Sequence, residues 1–245
     1  MYAIKTESLT KVYRKRHLGR TYLTPGISDI NLEISQGEIF GLLGLNGSGK
    51  TTTIKLLVGL LFPTSGKINI FGNTMPDRKK LSLIGYLPEM PYFQKFFTGR
   101  ETLEFFLELS GETNSKRINE IIDRMGMSDY IDKRIGEFSK GMMQRLTIAQ
   151  TLLNDPPLFI FDELVSGLDP MGIHDMRNFV LELKKRGKTI FFSSHLISEV
   201  ERVCDRVGII QGGKLLKILT QKEWQSIPLE DIFLNTIRSQ THPVS

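Results

Sequence analysis

The 245-residue sequence has one cysteine, Cys204, so no disulfide can form within the chain. Its cysteine usage gives no sign of an oxidising compartment. It has no apolar run long enough to cross a bilayer, since the best candidate, residues 54–62, is short and contains Lys55. The first residues lack the apolar stretch of a secretory signal. These absences predict a cytosolic protein, or one that another molecule holds at a membrane.

The rest of the composition is that of an ordinary globular protein, with 40% hydrophobic and 24% charged residues. The length suits one α/β domain, alone or with an inserted subdomain. The net charge of +5 includes a basic cluster of Lys11, Arg14, Lys15, Arg16 and Arg20. Because this cluster matches no nucleic-acid-binding motif, we interpret it as a solvated loop and expect no nucleic-acid partner.

The strongest positive signal is a glycine-rich stretch between an apolar segment that ends at Leu43 and a helix-like segment that begins at Thr53. It consists of Gly44, Leu45, Asn46, Gly47, Ser48, Gly49, Lys50, Thr51 and Thr52. The pattern G-x-x-x-x-G-K-[ST], after a strand and before a helix, predicts a loop whose backbone N–H groups surround the phosphates of a nucleotide. We expect Lys50 to reach the β- and γ-phosphates and the Thr51 hydroxyl to bind Mg²⁺. The stretch therefore predicts binding of ATP or GTP.

A second signal is the apolar run of residues 158–161, which Asp162 and Glu163 follow. Such a run predicts a strand buried on both faces, and its end is where open α/β sheets bind ligands. We expect Asp162 to hold Mg²⁺, directly or through water. Two-residue alternation would turn Glu163 to the other side of the strand, where it could act as a general base on an attacking water.

Strand and helix patterns alternate along most of the chain, which is typical of a largely parallel sheet covered by helices. Early strands are expected at 3–9 and 27–34, with a loop or a broken hairpin over 14–26. Three consecutive helices are expected at 102–110, 116–125 and 141–153. We therefore predict an α/β fold with a P-loop NTPase core, an N-terminal antiparallel β portion and an inserted α-helical subdomain. The predicted division is residues 1–87 and 158–245 for the core and 88–157 for the helical subdomain.

A third motif covers residues 138–145, where a short Ser/Gly turn opens a helix. Ser139 can cap this helix, and its hydroxyl, the Gly141 N–H and the helix dipole together form a second anion site. Taken alone, the motif is typical of a plain helix cap.

In this order, the motifs resemble those of the ATP-binding-cassette ATPases, the nucleotide-binding subunits of ABC transporters, over residues 2–220. Tyr13 lies where that family has an adenine-stacking aromatic, residues 44–52 match its Walker A motif, and Glu89 falls at its Q-loop. Residues 139–144 align with the family signature, L-S-G-G-Q, and Asp162 with Glu163 matches Walker B and the catalytic glutamate. Residues 166–170, which include Asp169, match the D-loop, and His195 matches the switch histidine.

The resemblance implies an ATPase in which Glu163 and His195 are catalytic and Mg²⁺ is held by Thr51, Asp162 and Glu89. The implied nucleotide-binding residues are Tyr13, residues 44–52, Glu89, Ser139, Gly141 and Asp162. It also implies that two cassettes, identical or related, pack head to tail, so that Ser139 and Gly141 of one cover the γ-phosphate held by Lys50 of the other. Since no spanning segment is present, a separate permease would carry the channel, and this chain would lie in the cytoplasm at the inner face of the cell membrane.

Three features depart from the family pattern. The signature has Lys140 and Met142 where glycine and glutamine are usual, and Glu89 replaces the Q-loop glutamine. We expect Glu89 still to couple the nucleotide site to the helical subdomain. The segment 14–26 is longer than the resemblance requires, and the sequence suggests no function for it.

An aromatic and methionine patch over residues 90–97 follows Glu89. It is explained equally by the core of the helical subdomain and by a groove for a helix of a membrane partner. Two other functions stay open at this stage. One is a soluble ABC ATPase for cofactor assembly, and the other is a P-loop kinase of small metabolites, which would leave the signature and His195 unexplained.

Overall fold

The computed structural model describes residues 1–17, 20–112, 114–165 and 168–241. The strands of this part of the chain are β1 (Tyr2–His17), β2 (Arg20–Ser35), β3 (Ile39–Leu43), β4 (Ser65–Ile70), β5 (Asn73–Met75), β6 (Ile84–Leu87), β7 (Leu158–Phe161), β8 (Thr189–Ser194), β9 (Arg206–Gln211) and β10 (Lys214–Thr220). Its α-helices are α1 (Lys50–Leu57), α2 (Gly99–Leu109), α3 (Ser115–Arg124), α4 (Lys140–Leu152), α5 (Pro170–Lys185), α6 (Ile197–Val203), α7 (Gln221–Ser226) and α8 (Leu229–Thr241). Short 3₁₀ helices form at Arg78–Leu83 and Ile135–Glu137.

The larger sheet has the strand order β10-β9-β3-β8-β7-β6. Neighbouring strands from β9 to β6 pair in parallel, and β10 joins the edge antiparallel to β9. Every residue of β3, β7 and β8 is buried, as expected for parallel strands covered on both faces. The carboxyl ends of these three strands meet at one edge, so this sheet confirms the predicted α/β core and fixes where its ligand site must lie.

The smaller sheet is antiparallel, with the order β2-β1-β4-β5, and it confirms the predicted N-terminal β portion. The expectation of a loop or broken hairpin over 14–26 is wrong. The strands β1 and β2 are 16 residues long each and stay paired from Tyr2 opposite Ser35 out to His17 opposite Arg20. The outer part of this hairpin is exposed and so lacks the alternating burial that marks a strand in the sequence.

The hydrophobic core lies on both faces of the larger sheet. Between the two sheets, residues of the antiparallel strands pack with α1 and with Phe40 and Leu42 of β3. On the opposite face, Ile39 and Leu43 join a cluster formed with the remaining helices. This alternation along β3 anchors the strand from both sides and holds the loop that follows it in place.

The predicted helical insert is present, because α2, α3 and α4 all lie between β6 and β7. Their N-termini are capped by Thr98, Asn114 and Ser139, whose side chains accept hydrogen bonds from backbone N–H groups of the first turn. The division of the chain at residues 88 and 157 remains a prediction. None of the helices in the described ranges is both long and apolar enough to cross a membrane.

Candidate nucleotide site

The loop between β3 and α1 has a backbone that its glycines require. Gly47 and Gly49 have φ values of 77° and 114°, in the left-handed region that side chains disfavour. A Cβ at Gly44 would lie 2.5 Å from the carbonyl oxygen of Ile210 and 2.3 Å from Ser48 Oγ. The loop therefore folds tightly against β9 and leads into the N-terminus of α1, where unpaired backbone N–H groups favour an anion.

Lys50 is buried at the start of α1 and turns back over this loop. Its Nζ donates to the carbonyl oxygen of Gly44 at 2.8 Å and, at 3.4 Å, to that of Leu45. It also lies 3.1 Å from Glu163 Oε1. The Lys50 ammonium is thus held above the loop, and the Glu163 carboxylate lies on its other side. The phosphates of a bound nucleotide would compete with this carboxylate for the ammonium.

Asp162 and Thr51 meet across the end of β7. The Thr51 hydroxyl donates to Asp162 Oδ1 at 3.3 Å, and the Ser193 hydroxyl donates to the same oxygen at 2.9 Å. Burial raises the pKa of the Asp162 carboxyl, and the hydrogen bonds from Ser193 and Thr51 oppose that rise. A carboxylate and a hydroxyl oxygen side by side next to a phosphate site are the kind of ligands that Mg²⁺ takes, together with phosphate and water oxygens.

The sequence predicted that strand alternation would orient Glu163, and this prediction is wrong. The strand β7 ends at Phe161, and Glu163 has φ 53°, a left-handed conformation that is costly for a residue with a side chain. Its N–H donates to Ser193 Oγ at 2.9 Å, which helps to hold this turn. The carboxylate therefore faces Lys50, next to the Thr51 that binds Asp162, so both acids converge on the same helix start.

His195 follows β8 and lies against the same carboxylate. Its Nδ1 is 2.7 Å from Glu163 Oε2, and its side chain remains 44% exposed while that of Glu163 is 9% exposed. The Nδ1–H tautomer of His195 donates a hydrogen bond to the carboxylate in this geometry. Lys50 and His195 therefore bind the two oxygens of one carboxylate from opposite sides.

A cavity of about 530 Å³ opens above the loop. It brings together most of the predicted site residues, namely Tyr13, Asn46, Gly47, Ser48, Gly49, Lys50, Thr51, Thr52, Glu89, Glu163 and His195. The carbonyl oxygens of Gly44 and Leu45 accept hydrogen bonds from Lys50. Asp162 is connected to the cavity by the hydrogen bond that it accepts from Thr51. The buried hydroxyl of Ser48 has no hydrogen-bond partner among the described residues, which fits an oxygen-rich ligand in this cavity.

One wall of the cavity comes from the β1–β2 hairpin. The Tyr13 hydroxyl lies 3.1 Å from Thr52 Oγ1, which ties the ring to the start of α1. Thr24, Pro25 and Gly26, on the opposite strand, also line the cavity. The inner part of the segment for which the sequence suggested no function thus forms a side of the candidate site.

Ser139 and Gly141 lie elsewhere. Ser139 caps α4, and its Oγ accepts from the Met142 N–H at 3.3 Å, as the cap motif predicted. Gly141 lines a different cavity of about 730 Å³, between α4 and α5. Within one chain, the structure therefore does not bring the signature to the loop.

Asp169 also borders this second cavity and caps α5, where its Oδ1 accepts from the Gly172 N–H at 2.7 Å. The neighbouring D-loop residues Ser166 and Gly167 lie outside the described residues. Within the described residues, Asp169 acts as the cap of α5.

Besides the hairpin residues Thr24, Pro25 and Gly26, the described part of the site includes Ser193 and Tyr86, which were not predicted either. Ser193 bonds both to the Asp162 carboxylate and to the Glu163 backbone, and the Ser-Ser-His sequence at the end of a buried strand was the available signal. Tyr86 is a residue of β6 that interacts with the charges of Asp162 and Glu89. Its burial, together with these two charges, raises the pKa of Tyr86 to about 12. Nothing in the local sequence distinguishes Tyr86 from an ordinary core tyrosine.

This fold and this loop define a P-loop nucleotide-binding protein. The chain belongs to the ABC transporter family, whose family model matches residues 27–166. It is 44% identical over 218 residues to an ABC transporter ATP-binding protein of Nostoc, and the match covers 87% of this chain and 65% of that protein, just under two thirds. It is 44% identical over 217 residues to the bacitracin transport ATP-binding protein BcrA of Bacillus licheniformis, covering 87% and 68% of the two chains.

Solved structures agree with this assignment. The structure of an ATP-binding subunit of an ABC transporter superposes with a TM-score of 0.81 at 27% identity. The match covers 96% of this chain and 99% of that one. The predicted fold class and family are therefore confirmed.

Proposed function

We propose that this chain binds and hydrolyses MgATP, and that it drives a separate membrane permease by closing head to tail on a second cassette. The observation that carries the proposal is the convergence of Lys50, Glu163 and His195 over the phosphate-binding loop, with Asp162 on Thr51 beside them. Family membership and the names of the relatives support the transport role.

In this proposal, the N–H groups of residues 44–52 and the Lys50 ammonium bind the phosphates. Tyr13 stacks on adenine from the hairpin wall. Thr51 and Asp162 hold Mg²⁺, and Glu89 faces it from the Q-loop. Mg²⁺, when bound, neutralises phosphate charge and orients the transferred group.

Hydrolysis depends on the carboxylate of Glu163. ATP phosphates attract Lys50, which loosens its ion pair with Glu163 and leaves the carboxylate free to accept a proton from the attacking water. His195, already bonded to Glu163 through Nδ1, holds that carboxylate in position. If His195 is protonated, its Nε2–H can also donate to a γ-phosphate oxygen.

The second cassette is required because the signature is remote from the loop in one chain. Gly141 supports this view, since nothing in the described part of the chain explains its presence. It lies in the first turn of α4 without a positive φ, and a Cβ built there would meet nothing within 4 Å. A helical glycine costs about 0.5–1 kcal/mol relative to alanine, and a close approach by the second cassette would account for its presence.

The permease would dock on the aromatic patch. Met90, Tyr92 and Phe96 are 82%, 83% and 64% exposed, and Phe105 is 46% exposed. Large apolar side chains clustered at a surface mark interaction sites. Such docking would place the chain at the inner face of the membrane and give Glu89, at the start of the same segment, its predicted coupling role.

The test is a pull-down from detergent-solubilised membranes of the source cells. The bait is Glu163→Gln with ATP, to hold the dimer closed, and the matched control is the same variant with Lys50→Ala added. Recovery of a multi-spanning protein at a fixed ratio, dependent on Lys50, supports the proposal. Recovery of a soluble partner alone would favour an ABC ATPase for cofactor assembly, and recovery of none would contradict the transporter role.

A further inference from the structure

The ring of Tyr13 lies directly against Gly26, a residue of the neighbouring strand β2. A Cβ built at Gly26 would lie 2.6 Å from Cε2 of this ring and 3.2 Å from Cδ2. The φ of Gly26 is not in the left-handed region, so its backbone conformation would accept a side chain. Glycine at this position is therefore explained by space and not by conformation, and the edge of the Tyr13 ring occupies that space.

Gly26 also lies at a break in the pairing of β1 with β2. Lys11 of β1 is opposite Ile27. The next residue, Val12, is opposite Pro25, so Gly26 is one extra residue in β2. Such a β-bulge bends a strand and redirects the side chains around it. The bulge occurs in the part of the hairpin that lines the cavity above the phosphate-binding loop.

Two further contacts hold the Tyr13 ring in this orientation. Its hydroxyl is 3.1 Å from Thr52 Oγ1, and Lys11 Nζ lies over the ring, 5.8 Å from its centroid. A cation in this position is attracted to the π-electrons of the ring. Lys11 Nζ also donates to the carbonyl oxygen of Phe62 at 2.6 Å, which fixes the cation. The ring is still 36% exposed, so part of its surface is open to the cavity that it lines.

The backbone at Gly26 is in turn fixed to the phosphate-binding loop through Gly213, in the turn between β9 and β10. The Gly213 N–H donates to the carbonyl oxygen of Ser48 at 2.8 Å, and its own carbonyl oxygen accepts from the Ser28 N–H at 2.8 Å. A Cβ at Gly213 would lie 2.7 Å from the carbonyl oxygen of Gly26, so this turn packs closely against the hairpin. The position of the Tyr13 ring is thereby set relative to the loop that would bind the phosphates.

We propose that Gly26 is a positioning residue for the base of the nucleotide, because its missing side chain lets the Tyr13 ring lie back against the strand. This inference rests on the proposed function, in which Tyr13 stacks on adenine. A methyl group at Gly26 could not retreat from the ring, since the carbonyl oxygen of Lys11 would lie only 3.1 Å from it. The ring would move instead and would lose its hydrogen bond to Thr52, together with the orientation on which a base stacks.

The test compares a ligand that has a base with one that has only phosphates. The Kd values of MgADP and of magnesium pyrophosphate are measured by calorimetry for the parent and for Gly26→Ala. Loss of a stacked base should raise the Kd of MgADP about tenfold, while that of pyrophosphate should change by less than about twofold. In ATPase assays the KM for ATP should rise by a similar factor, with kcat unchanged.

Tyr13→Ala supplies a second background for the same substitution. Once the ring is removed, the closest contact of a Cβ at Gly26 among the described residues is the carbonyl oxygen of Lys11 at 3.1 Å. Tyr13→Ala alone should weaken MgADP binding, and the addition of Gly26→Ala should weaken it no further. Thermal unfolding without nucleotide checks that each variant is folded.

Gly136→Ala is the matched control. Gly136 has no positive φ, lies outside the nucleotide cavity, and would place a Cβ no closer than 3.3 Å to any of the described residues. This substitution should leave both Kd values unchanged.

The outcomes separate this inference from the proposed function. A parent that binds neither MgADP nor MgATP would show that the proposed function is wrong. If the parent binds MgADP, the inference is overturned when Gly26→Ala binds it equally well, when Tyr13→Ala does, or when the effects of the two substitutions add. A selective loss of MgADP affinity that disappears in the Tyr13→Ala background supports the inference.

Two other results would also overturn it and leave the proposed function standing. Equal losses of MgADP and pyrophosphate affinity would mean that Gly26 acts on the phosphate-binding loop through Gly213. A Gly26→Ala variant that is unfolded while the double variant with Tyr13→Ala stays folded would mean that Gly26 serves the fold and not the base.

Discussion

Lys50 and Glu163 form a buried ion pair, with 3.1 Å between Nζ and Oε1 and side chains only 5% and 9% exposed. Removing one partner of such a pair leaves an uncompensated buried charge. The phosphates of a nucleotide can supply the missing negative charge for Lys50. The Glu163 carboxylate therefore competes with the nucleotide for Lys50 during binding, whereas hydrolysis needs this carboxylate as the base.

Glu163→Gln should therefore abolish turnover and strengthen ATP binding. We expect kcat to fall by at least about 100-fold, the usual contribution of a general base. ATP should raise the Tm of the variant more than that of the parent, because the phosphates replace the carboxylate that Lys50 has lost. ATPase assays and thermal unfolding with and without ATP measure both effects.

The matched control is Glu104→Gln, an exposed acid on α2. It should leave both kcat and the ATP-induced Tm shift unchanged. Retention of turnover by Glu163→Gln would remove Glu163 as the base.

Ser193→Ala should impair both stability and hydrolysis. Its hydroxyl donates to Asp162 and accepts from the Glu163 N–H, so the change removes the partner of that N–H and leaves Asp162 Oδ1 with the longer hydrogen bond from Thr51. We expect the free energy of unfolding to fall by about 1–3 kcal/mol, which denaturant unfolding measures. We also expect a lower kcat and a weaker dependence of the ATPase rate on Mg²⁺, which an ATPase titration measures.

Ser194→Ala is the comparison, because Ser194 is also buried but bonds to the backbone of Leu196. It should lower stability without changing the Mg²⁺ dependence. Equal kinetic effects of the two substitutions would mean that Ser193 acts only on folding.

Asp162→Asn should make the metal-free protein more stable at neutral pH. Burial raises the pKa of Asp162 in the folded state, so the folded protein holds this proton more tightly than the unfolded chain does. The free energy of unfolding of the parent therefore falls as pH rises from the ordinary pKa of the group to the raised one. Asparagine does not ionise and removes that fall.

Thermal unfolding in EDTA over a pH series checks this sign. The two proteins should converge at a pH below both pKa values and separate above them. MgATP should reverse the order, because only the aspartate supplies charge to the metal. An increase in the stability of the parent relative to the variant in EDTA, as the pH rises, would contradict this prediction.

Gly141→Ala should stabilise the monomer and weaken the dimer. Alanine fits the open space beside α4 and raises helix propensity, which should add up to about 1 kcal/mol to the free energy of unfolding. The added methyl group would obstruct the close approach of the second nucleotide site. Denaturant unfolding and ATP-dependent sedimentation in the Glu163→Gln background measure the two effects. If the dimer of the alanine variant is unimpaired, Gly141 is not needed for the close approach of the second nucleotide site.

The aromatic patch divides into two parts with different predicted responses. Phe93 and Phe97 pack against the core, as Phe106 of α2 does, whereas Tyr92 and Phe96 are largely exposed. The core explanation therefore applies to the packed residues, and the docking explanation stays a prediction for the exposed ones. Tyr92→Glu and Phe96→Glu should change stability by less than about 0.5 kcal/mol and leave ATP binding intact, yet lose the permease.

Phe106→Glu is the control for a residue that packs in the core, and it should destabilise the fold by about 1–3 kcal/mol. Unfolding, ATP binding and co-purification from membranes compare the three variants. Loss of ATP binding in the Tyr92 variant would show that the exposed residues also serve the core.

Much of the fold could be predicted because burial leaves a periodic pattern. The apolar runs at β3 and β7 and the amphipathic spacing of α2 follow directly from the faces that they bury. The outer half of the β1–β2 hairpin could not be predicted, since both of its faces are exposed and its backbone pairing leaves no hydrophobic period.

The sequence by itself determined the phosphate-binding loop, because glycines at fixed spacing admit a backbone that other residues resist. It also determined the acids at the end of β7, because a buried strand can carry charge only where it stops. Only the tertiary structure decided how these acids are used. The left-handed turn at Glu163, and the Ser193 hydroxyl from a neighbouring strand, bring both carboxylates onto consecutive residues of α1. Such contacts depend on strands that are adjacent in the sheet and 30 residues apart in the chain, a relationship that no local pattern contains.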